Sequence, residues 1–115
     1  MFFDFEEYNF FVAPGRTDMR RGAYSLALIV QNEMKLKIRD KSIFIFCGSN
    51  NKTIKILTWE KNGFWLCSKK LQTGTFRWPK NKDEAKEIKF QDLLRLLNGE
   101  DIWRRIPVLR DDFIL

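Results

Sequence analysis

The segment Thr53-Ile-Lys-Ile-Leu-Thr-Trp-Glu-Lys-Asn-Gly-Phe-Trp-Leu-Cys-Ser-Lys-Lys70 decides the fold class of this chain. Two runs rich in β-branched and aromatic residues flank Asn62-Gly63. This dipeptide is typical of tight hairpin turns, because a type I′ turn needs positive φ at both central positions, and asparagine and glycine tolerate it. The segment therefore predicts two antiparallel strands, residues 53–59 and 63–70. With Asn62-Gly63 at the two turn positions, Lys55 is expected directly opposite Lys70 on one face of the sheet.

Three more strands are predicted on either side of this hairpin, at residues 8–12, 42–47 and 75–78. Pro14-Gly15 ends the first of them and Pro79 ends the last, because proline and glycine interrupt regular strands.

Two helices complete the expected set of elements. Apolar residues recur at helical spacing over 18–34, and Thr17 stands in the position of an N-cap. A shorter apolar pattern predicts a helix near 90–97, with Gly99 at its C-terminal end. The fold class is α+β: an antiparallel β-meander of about four to five strands with a long N-terminal helix and a short C-terminal helix.

The length of 115 residues and the absence of repeats or linkers indicate one domain, residues 1–115. The first residues are acidic, unlike a secretory signal, and no apolar run reaches the eighteen residues of a membrane span. The two cysteines, Cys47 and Cys67, are too few for a disulfide framework or a four-ligand zinc site. A cytoplasmic protein without membrane contact is expected.

The positive charge is concentrated in the middle of the chain. Residues 16–82 carry fifteen Lys or Arg and four Asp or Glu, whereas residues 1–15 and 83–115 are both net acidic. Such asymmetry favours an anionic partner, and nucleic acid is the commonest one. The alternative is a solvated basic surface that only keeps the protein soluble.

Bases and aromatic residues in this middle segment are the candidate site. The candidate nucleic-acid-binding residues are Arg16, Arg20, Arg21, Lys52, Lys55, Lys69, Lys70 and Arg77, and the candidate stacking residues are Trp59, Trp65 and Trp78. Each group has a plain alternative: strand aromatics commonly belong to the core, and lysine side chains can simply extend into water.

The residues give little support for catalysis. The chain has no histidine, so histidine-dependent triads, general bases and metal ligands are excluded within it. The basic segment holds four acids, Asp18, Glu33, Asp40 and Glu60, and Asp18 is assigned to the helix N-terminus. No phosphate-binding or dinucleotide glycine motif occurs. We expect no catalytic residue, no metal site and no cofactor.

Several ordered motifs together resemble one family of bacterial mobile-element proteins. They are Gly15-Arg-Thr-Asp-Met-Arg-Arg-Gly22, Ile43-Phe-Ile-Phe46, Lys55-Ile-Leu57, Trp59, Gly63-Phe-Trp-Leu66, Lys70-Leu71, Gly74-Thr-Phe-Arg-Trp-Pro79 and Leu93-Leu94 to Leu97-x-Gly99. Over roughly residues 8–101 the chain resembles the accessory protein from the second open reading frame of IS-sixty-six-type insertion sequences, often called TnpB. The family is distinct from the RNA-guided nucleases that share this label.

The resemblance implies a transposition accessory factor that is encoded beside the transposase and lacks a known catalytic centre. Two departures from the family pattern bear on phosphate binding. Gly48-Ser-Asn-Asn-Lys52 stands where an arginine-rich turn is usual, and Lys70 stands where arginine is usual. Lysine lacks the bidentate fork of arginine, so both departures weaken phosphate recognition.

Two functional hypotheses follow. The first is a non-catalytic accessory protein that binds DNA through its basic middle segment and has the transposase of the same element as partner. The alternative is a protein–protein adaptor that docks on the transposase without touching DNA. The apolar tail, residues 103–115, is expected to pack on a neighbouring subunit and form a homo-oligomer, or else to fold back on its own sheet.

Overall fold

The computed structural model describes residues 7–80 and 87–103, which form one five-stranded sheet and two helices. Along the chain the elements are β1 (Asn9–Val12), α1 (Ala23–Asn32), β2 (Ser42–Cys47), β3 (Thr53–Glu60), β4 (Gly63–Lys70), β5 (Glu87–Ile88) and α2 (Phe90–Leu97). The strand order in the sheet is β4-β3-β2-β1-β5. The α+β class agrees with the sequence prediction, but the fifth strand is β5, which was not predicted, and not the predicted strand at residues 75–78.

The sheet is mixed, so the prediction of a purely antiparallel meander is wrong at one pair of strands. β1 and β2 run parallel, with Phe10 paired to Ile43 and Val12 paired to Ile45, whereas all other neighbours are antiparallel. The reason is the connection: α1 lies between β1 and β2, and a crossover of this kind returns the chain to the start of a parallel strand.

The predicted long N-terminal helix is also wrong in length and in its start. α1 has ten residues and begins after Gly22, whose extended backbone (ψ −174°) ends any helical turn before it. Thr17 is not an N-cap, because its main-chain N–H donates to Cys47 O at 2.7 Å and so continues the pairing onto β2. Met19 therefore belongs to a loop, although its spacing fits a helix.

The hairpin between β3 and β4 forms as predicted but in a register shifted by two residues. Glu60 pairs with Gly63, so that the turn consists of Lys61-Asn62, and Lys61 takes the positive φ of 54°. Lys55 then faces Ser68, and Lys70 faces Thr53. The two lysines share one face as diagonal neighbours and are not directly opposite.

The predicted strand at residues 75–78 is absent, because this segment crosses the end of the sheet without joining it. Phe76 N donates to Asn51 O at 2.6 Å, and Trp78 Nε1 donates to Ala13 O at 2.7 Å. Its strand-like composition reflects burial: Phe76 has no exposed surface.

Both faces of the sheet are covered. On one face, Phe44, Phe46 and Leu57 pack against Leu26 and Val30 of α1. On the other face, buried side chains from the sheet meet α2 and residue 76; they are Phe10, Val12, Ile43, Ile45, Cys47, Ile54, Phe76, Ile88, Leu93 and Leu96. Within the described residues, no helix has the length and apolar character of a membrane span. The tail beyond Trp103 lies outside the described residues.

Candidate nucleic-acid interface

One end of the sheet collects the segments that carry most of the positive charge. β1 and β2 end there, β3 begins there and β4 ends there, because β1 and β2 are parallel while β2, β3 and β4 alternate in direction. We call this region the basic end and define it as residues 13–22, 48–55 and 69–80.

Main-chain contacts tie the three segments together. Gly15 N donates to Pro79 O at 2.8 Å, and Leu71 N donates to Lys52 O at 2.7 Å. Met19 lies so close to Gly48 that a Cβ on this glycine would be 2.6 Å from Met19 Cγ. The loop before α1 therefore crosses the sheet end on one side, and the segment after β4 crosses it on the other.

The basic end holds nine bases and a single acid, Asp18. The bases are Arg16, Arg20, Arg21, Lys52, Lys55, Lys69, Lys70, Arg77 and Lys80. All eight bases of the sequence prediction thus come to the same end of the sheet. The ninth, Lys80, was missed because its position at the start of a charged loop carries no local signal.

The one acid is engaged by its neighbour. Asp18 Oδ1 accepts from the main-chain N–H of Arg20 at 2.9 Å, and Asp18 Oδ2 accepts from Arg20 Nη2 at 2.7 Å. The Arg20 guanidinium and amide hold the pKa of the Asp18 carboxyl well below its ordinary value. Arg20 therefore contributes less free charge to the surface than the other bases of this end.

Lys55 and Lys69 extend to opposite faces of the sheet, and each donates to a main-chain carbonyl. Lys55 Nζ lies 2.9 Å from Arg21 O, just before α1, and Lys69 Nζ lies 3.1 Å from Leu97 O, at the end of α2. Both ammonium groups thus hold a neighbouring element in place while adding positive charge. Lys70 and Arg77, by contrast, are exposed at the rim of the sheet end.

The three tryptophans do not share the basic end as stacking surfaces. Trp59 and Trp65 lie near the β3–β4 turn, where the Trp59 ring meets the Phe64 ring edge-on at 5.0 Å and Trp65 Nε1 donates to Glu60 Oε1 at 3.1 Å. Trp78 is half-buried and donates to Ala13 O. The structure thus brings the predicted bases together at one end of the sheet. The exposed Trp65 and the half-buried Trp59 lie at the opposite end.

A cleft of about 600 Å³ opens beside the loop that precedes α1. Its charged lining is balanced, and it consists of Arg16, Arg21 and Lys80 together with Asp18, Glu33 and Glu87. Its floor is apolar and includes Phe11, Ile29 and Met34. Balanced charge gives this cleft no preference for an anion, so the exposed rim of the basic end is the better phosphate surface.

The thiols offer no reactive centre among the described residues. Burial raises the pKa of the Cys47 thiol to about 11, so it stays protonated at neutral pH. Cys67 is a second free thiol on β4. Within residues 7–80 and 87–103, no cluster of three Cys, Asp or Glu side chains could hold a metal ion.

The chain matches a known family over most of its length. The family model described as "IS66 Orf2 like protein" matches residues 8–106. The chain belongs to this insertion-sequence family. The match covers every described strand and helix of the fold, from β1 to α2.

Curated relatives share most of the length of the chain. It is 40% identical over 93 residues to "Uncharacterized protein y4hO" of Sinorhizobium fredii (strain NBRC 101917 / NGR234), covering 81% of this chain and 80% of the relative. It is 29% identical over 102 residues to "Uncharacterized protein y4jC" of the same strain, covering 86% of each. No solved structure matches the chain.

Proposed function

We propose that this protein is a non-catalytic accessory protein of insertion-sequence transposition that binds DNA through the basic end of its sheet. Its family places it among insertion-sequence proteins, and the transposase of the same element is the protein partner that this context favours. The single observation that carries DNA binding is that three segments meeting at one end of the sheet, residues 13–22, 48–55 and 69–80, carry nine bases and one acid.

The charge density of this end suits a polyanion. Phosphates along duplex DNA are closely spaced, and proteins that neutralise several of them bind with an affinity set largely by release of counterions. Arg16 is exposed on one segment of the basic end, and Lys70 and Arg77 are exposed on another. A ligand that touches all three must present an extended row of negative charge, as a nucleic-acid backbone does.

The contact is expected to be with phosphates and not with stacked bases. Sequence-tolerant binding of single strands relies on exposed aromatic rings inside the cationic groove. Among the described residues at this end, Phe76 is buried, and Trp78 and Trp103 are only partly exposed, with their indole N–H groups bonded to Ala13 O and Arg77 O. Duplex DNA, whose bases are already stacked, is therefore the favoured form.

The test is a titration of fluorescently labelled duplex and single-stranded DNA of equal length at several salt concentrations. We expect duplex binding whose log K falls linearly with log salt, by about 0.9 for each phosphate contacted. Tryptophan fluorescence should stay unquenched, since no indole stacks on a base. If neither duplex nor single-stranded DNA binds in a salt-dependent way, the proposal is overturned, and the adaptor function would take its place.

A further inference from the structure

Three arginines of the basic end stand on a loop that belongs to no strand or helix. β1 ends at residue 12 and α1 begins at residue 23. Arg16, Arg20 and Arg21 lie between them, and their side chains are exposed. Because no regular hydrogen-bond ladder fixes this stretch, the positions of the three side chains depend on the contacts that tie its main chain to the sheet.

The two parts of this loop are tied to the sheet by different kinds of contact. In the first part, the main-chain N–H of Thr17 donates to Cys47 O at 2.7 Å. At the end of the loop, the Arg21 N–H donates to Asp18 O at 3.1 Å, which closes a turn but reaches no strand. The Arg21 carbonyl accepts from Lys55 Nζ on β3 at 2.9 Å. A side chain thus does for the end of the loop what the main chain does for its first part.

Lys55 is suited to this role by its place in the sheet. It is half-buried and lies on the face that α1 covers, as does Leu57 two residues further along β3. A hydrogen bond from an ammonium group to a carbonyl is stronger than one between neutral groups. Gly22, which follows Arg21, gives α1 no side-chain cap. The Lys55 contact therefore supports the point at which the loop turns into the helix.

We propose that Lys55 is a positioning residue of the DNA-binding surface: it holds the loop so that Arg16 and Arg21 reach phosphates, and it makes no phosphate contact of its own. The inference rests on the proposed function and assigns different roles to bases that look alike in sequence. Lys70, which is exposed at the end of β4, is a direct contact. Loss of Lys55 should therefore remove the contacts of two arginines, whereas loss of Lys70 removes one contact.

The test is a double-mutant cycle on duplex DNA binding, measured at several salt concentrations. Lys55→Met and the matched control Lys70→Met each remove one positive charge from a strand, alone and combined with Arg16→Gln. Lys70→Met should lower the slope of log K against log salt by about 0.9, and Arg16→Gln should lower it by about 0.9 more. Lys55→Met should lower the slope by about 1.8, as two lost contacts do, and Arg16→Gln should then change it no further.

Two outcomes of this cycle would overturn the proposal. A slope change of about 0.9 for Lys55→Met that adds to the change for Arg16→Gln would show that Lys55 is an independent phosphate contact. An unchanged affinity and slope in Lys55→Met would show that the arginines of the loop reach DNA without it.

Amide NMR of the protein without DNA supplies a second measurement. Lys55→Met should shift the main-chain amide signals of Arg21 and Gly22, since the Arg21 carbonyl loses its donor. The signals of Leu93 and Leu96, in α2 on the other face of the sheet, should stay in place and report an intact fold. Unchanged signals of Arg21 and Gly22 would contradict the positioning role. An intact protein that binds no DNA would overturn the proposed function instead, and these signals would still show whether Lys55 holds the loop.

Discussion

The two ends of the sheet differ sharply in charge although the same strands build both. The basic end carries nine bases and one acid. The opposite end, which we call the hairpin end and define as Glu7, residues 39–41 and residues 60–62, carries three bases and three acids. Here Lys41 Nζ pairs with Glu7 Oε2 at 2.8 Å, and Asp40 lies next to Trp59 through a bridge between the main chains.

This difference shows that the charge excess of the middle segment is organised by topology. Residues 13–22, 48–55 and 69–80 are far apart in sequence and meet because each follows or precedes a strand at the same sheet end. At the hairpin end, the three bases and the three acids cancel. A surface that served only solubility would need no such separation.

The largest expected effect comes from removing the buried residue that holds the third segment at the basic end. Phe76 has no exposed surface, and its N–H donates to Asn51 O. Phe76→Ala should lower the free energy of unfolding by about 3–5 kcal/mol, as large-to-small changes in a core do. Trp65→Ala on β4, near the hairpin end, should cost about 1 kcal/mol or less, since Trp65 is partly exposed. Urea unfolding of both variants checks the contrast, and equal losses would contradict the account.

A glycine in the basic end and a glycine beside the hairpin end sharpen the comparison. A Cβ at Gly48 would be 2.6 Å from Met19 Cγ, whereas a Cβ at Gly63 would meet nothing within 4 Å. Gly48→Ala should therefore destabilise by about 1–3 kcal/mol, because the Met19 side chain must shift to make room. Gly63→Ala should be close to neutral. Met19→Ala added to Gly48→Ala should recover part of the loss. Failure of that rescue would show that Gly48 is needed for another reason.

The smallest expected effects concern one exposed ion pair at each end. The Lys41 ammonium lowers the pKa of Glu7, and the Arg20 side chain and amide lower that of Asp18. A carboxyl group whose pKa is lower in the folded state stabilises the folded protein at pH values above its pKa in the unfolded state. This stabilisation is lost as the pH falls through the pKa of the folded state. Carboxyl NMR titrations should give both midpoints below the model-peptide values, about 3.9 for Asp and 4.3 for Glu.

Replacing the basic residue of each ion pair with glutamine should change the pKa values of the two carboxyl groups by different amounts. Lys41→Gln should return the pKa of Glu7 towards its ordinary value, because Lys41 is the source of both lowering effects. Arg20→Gln should raise the pKa of Asp18 only in part, since the main-chain N–H at position 20 remains a donor. An unchanged Asp18 midpoint in Arg20→Gln would contradict the assigned pairing.

Strong local patterns allowed most of the fold to be predicted. The runs 42–47 and 63–70 were placed correctly, and Gly99 adopts the positive φ (88°) expected after a helix. The misses arose where a tertiary contact outweighed a local preference. Asp18 binds the Arg20 amide, which forms a loop where helical spacing predicted a helix. The β3–β4 turn moved because Lys61 adopts positive φ in place of Gly63.

The site was less accessible to sequence reasoning than the fold. Residue types identified the bases, but their convergence depends on the parallel β1–β2 pair, which no local pattern indicates. The same limit applies to the tryptophans: Trp78 and Trp59 look alike in sequence, and the structure alone separates a half-buried indole bonded to Ala13 O from one near the hairpin turn.

The salt dependence of duplex DNA binding in two charge-matched variants tests the central claim most directly. Lys70→Gln/Arg77→Gln removes two exposed charges from the basic end, and Arg39→Gln/Lys61→Gln removes two exposed charges from the hairpin end. The first variant should reduce the slope of log K against log salt by about 1.8, at 0.9 per lost phosphate contact, while the second leaves it unchanged. Equal changes in both variants, or no change in the first, would contradict binding through the basic end.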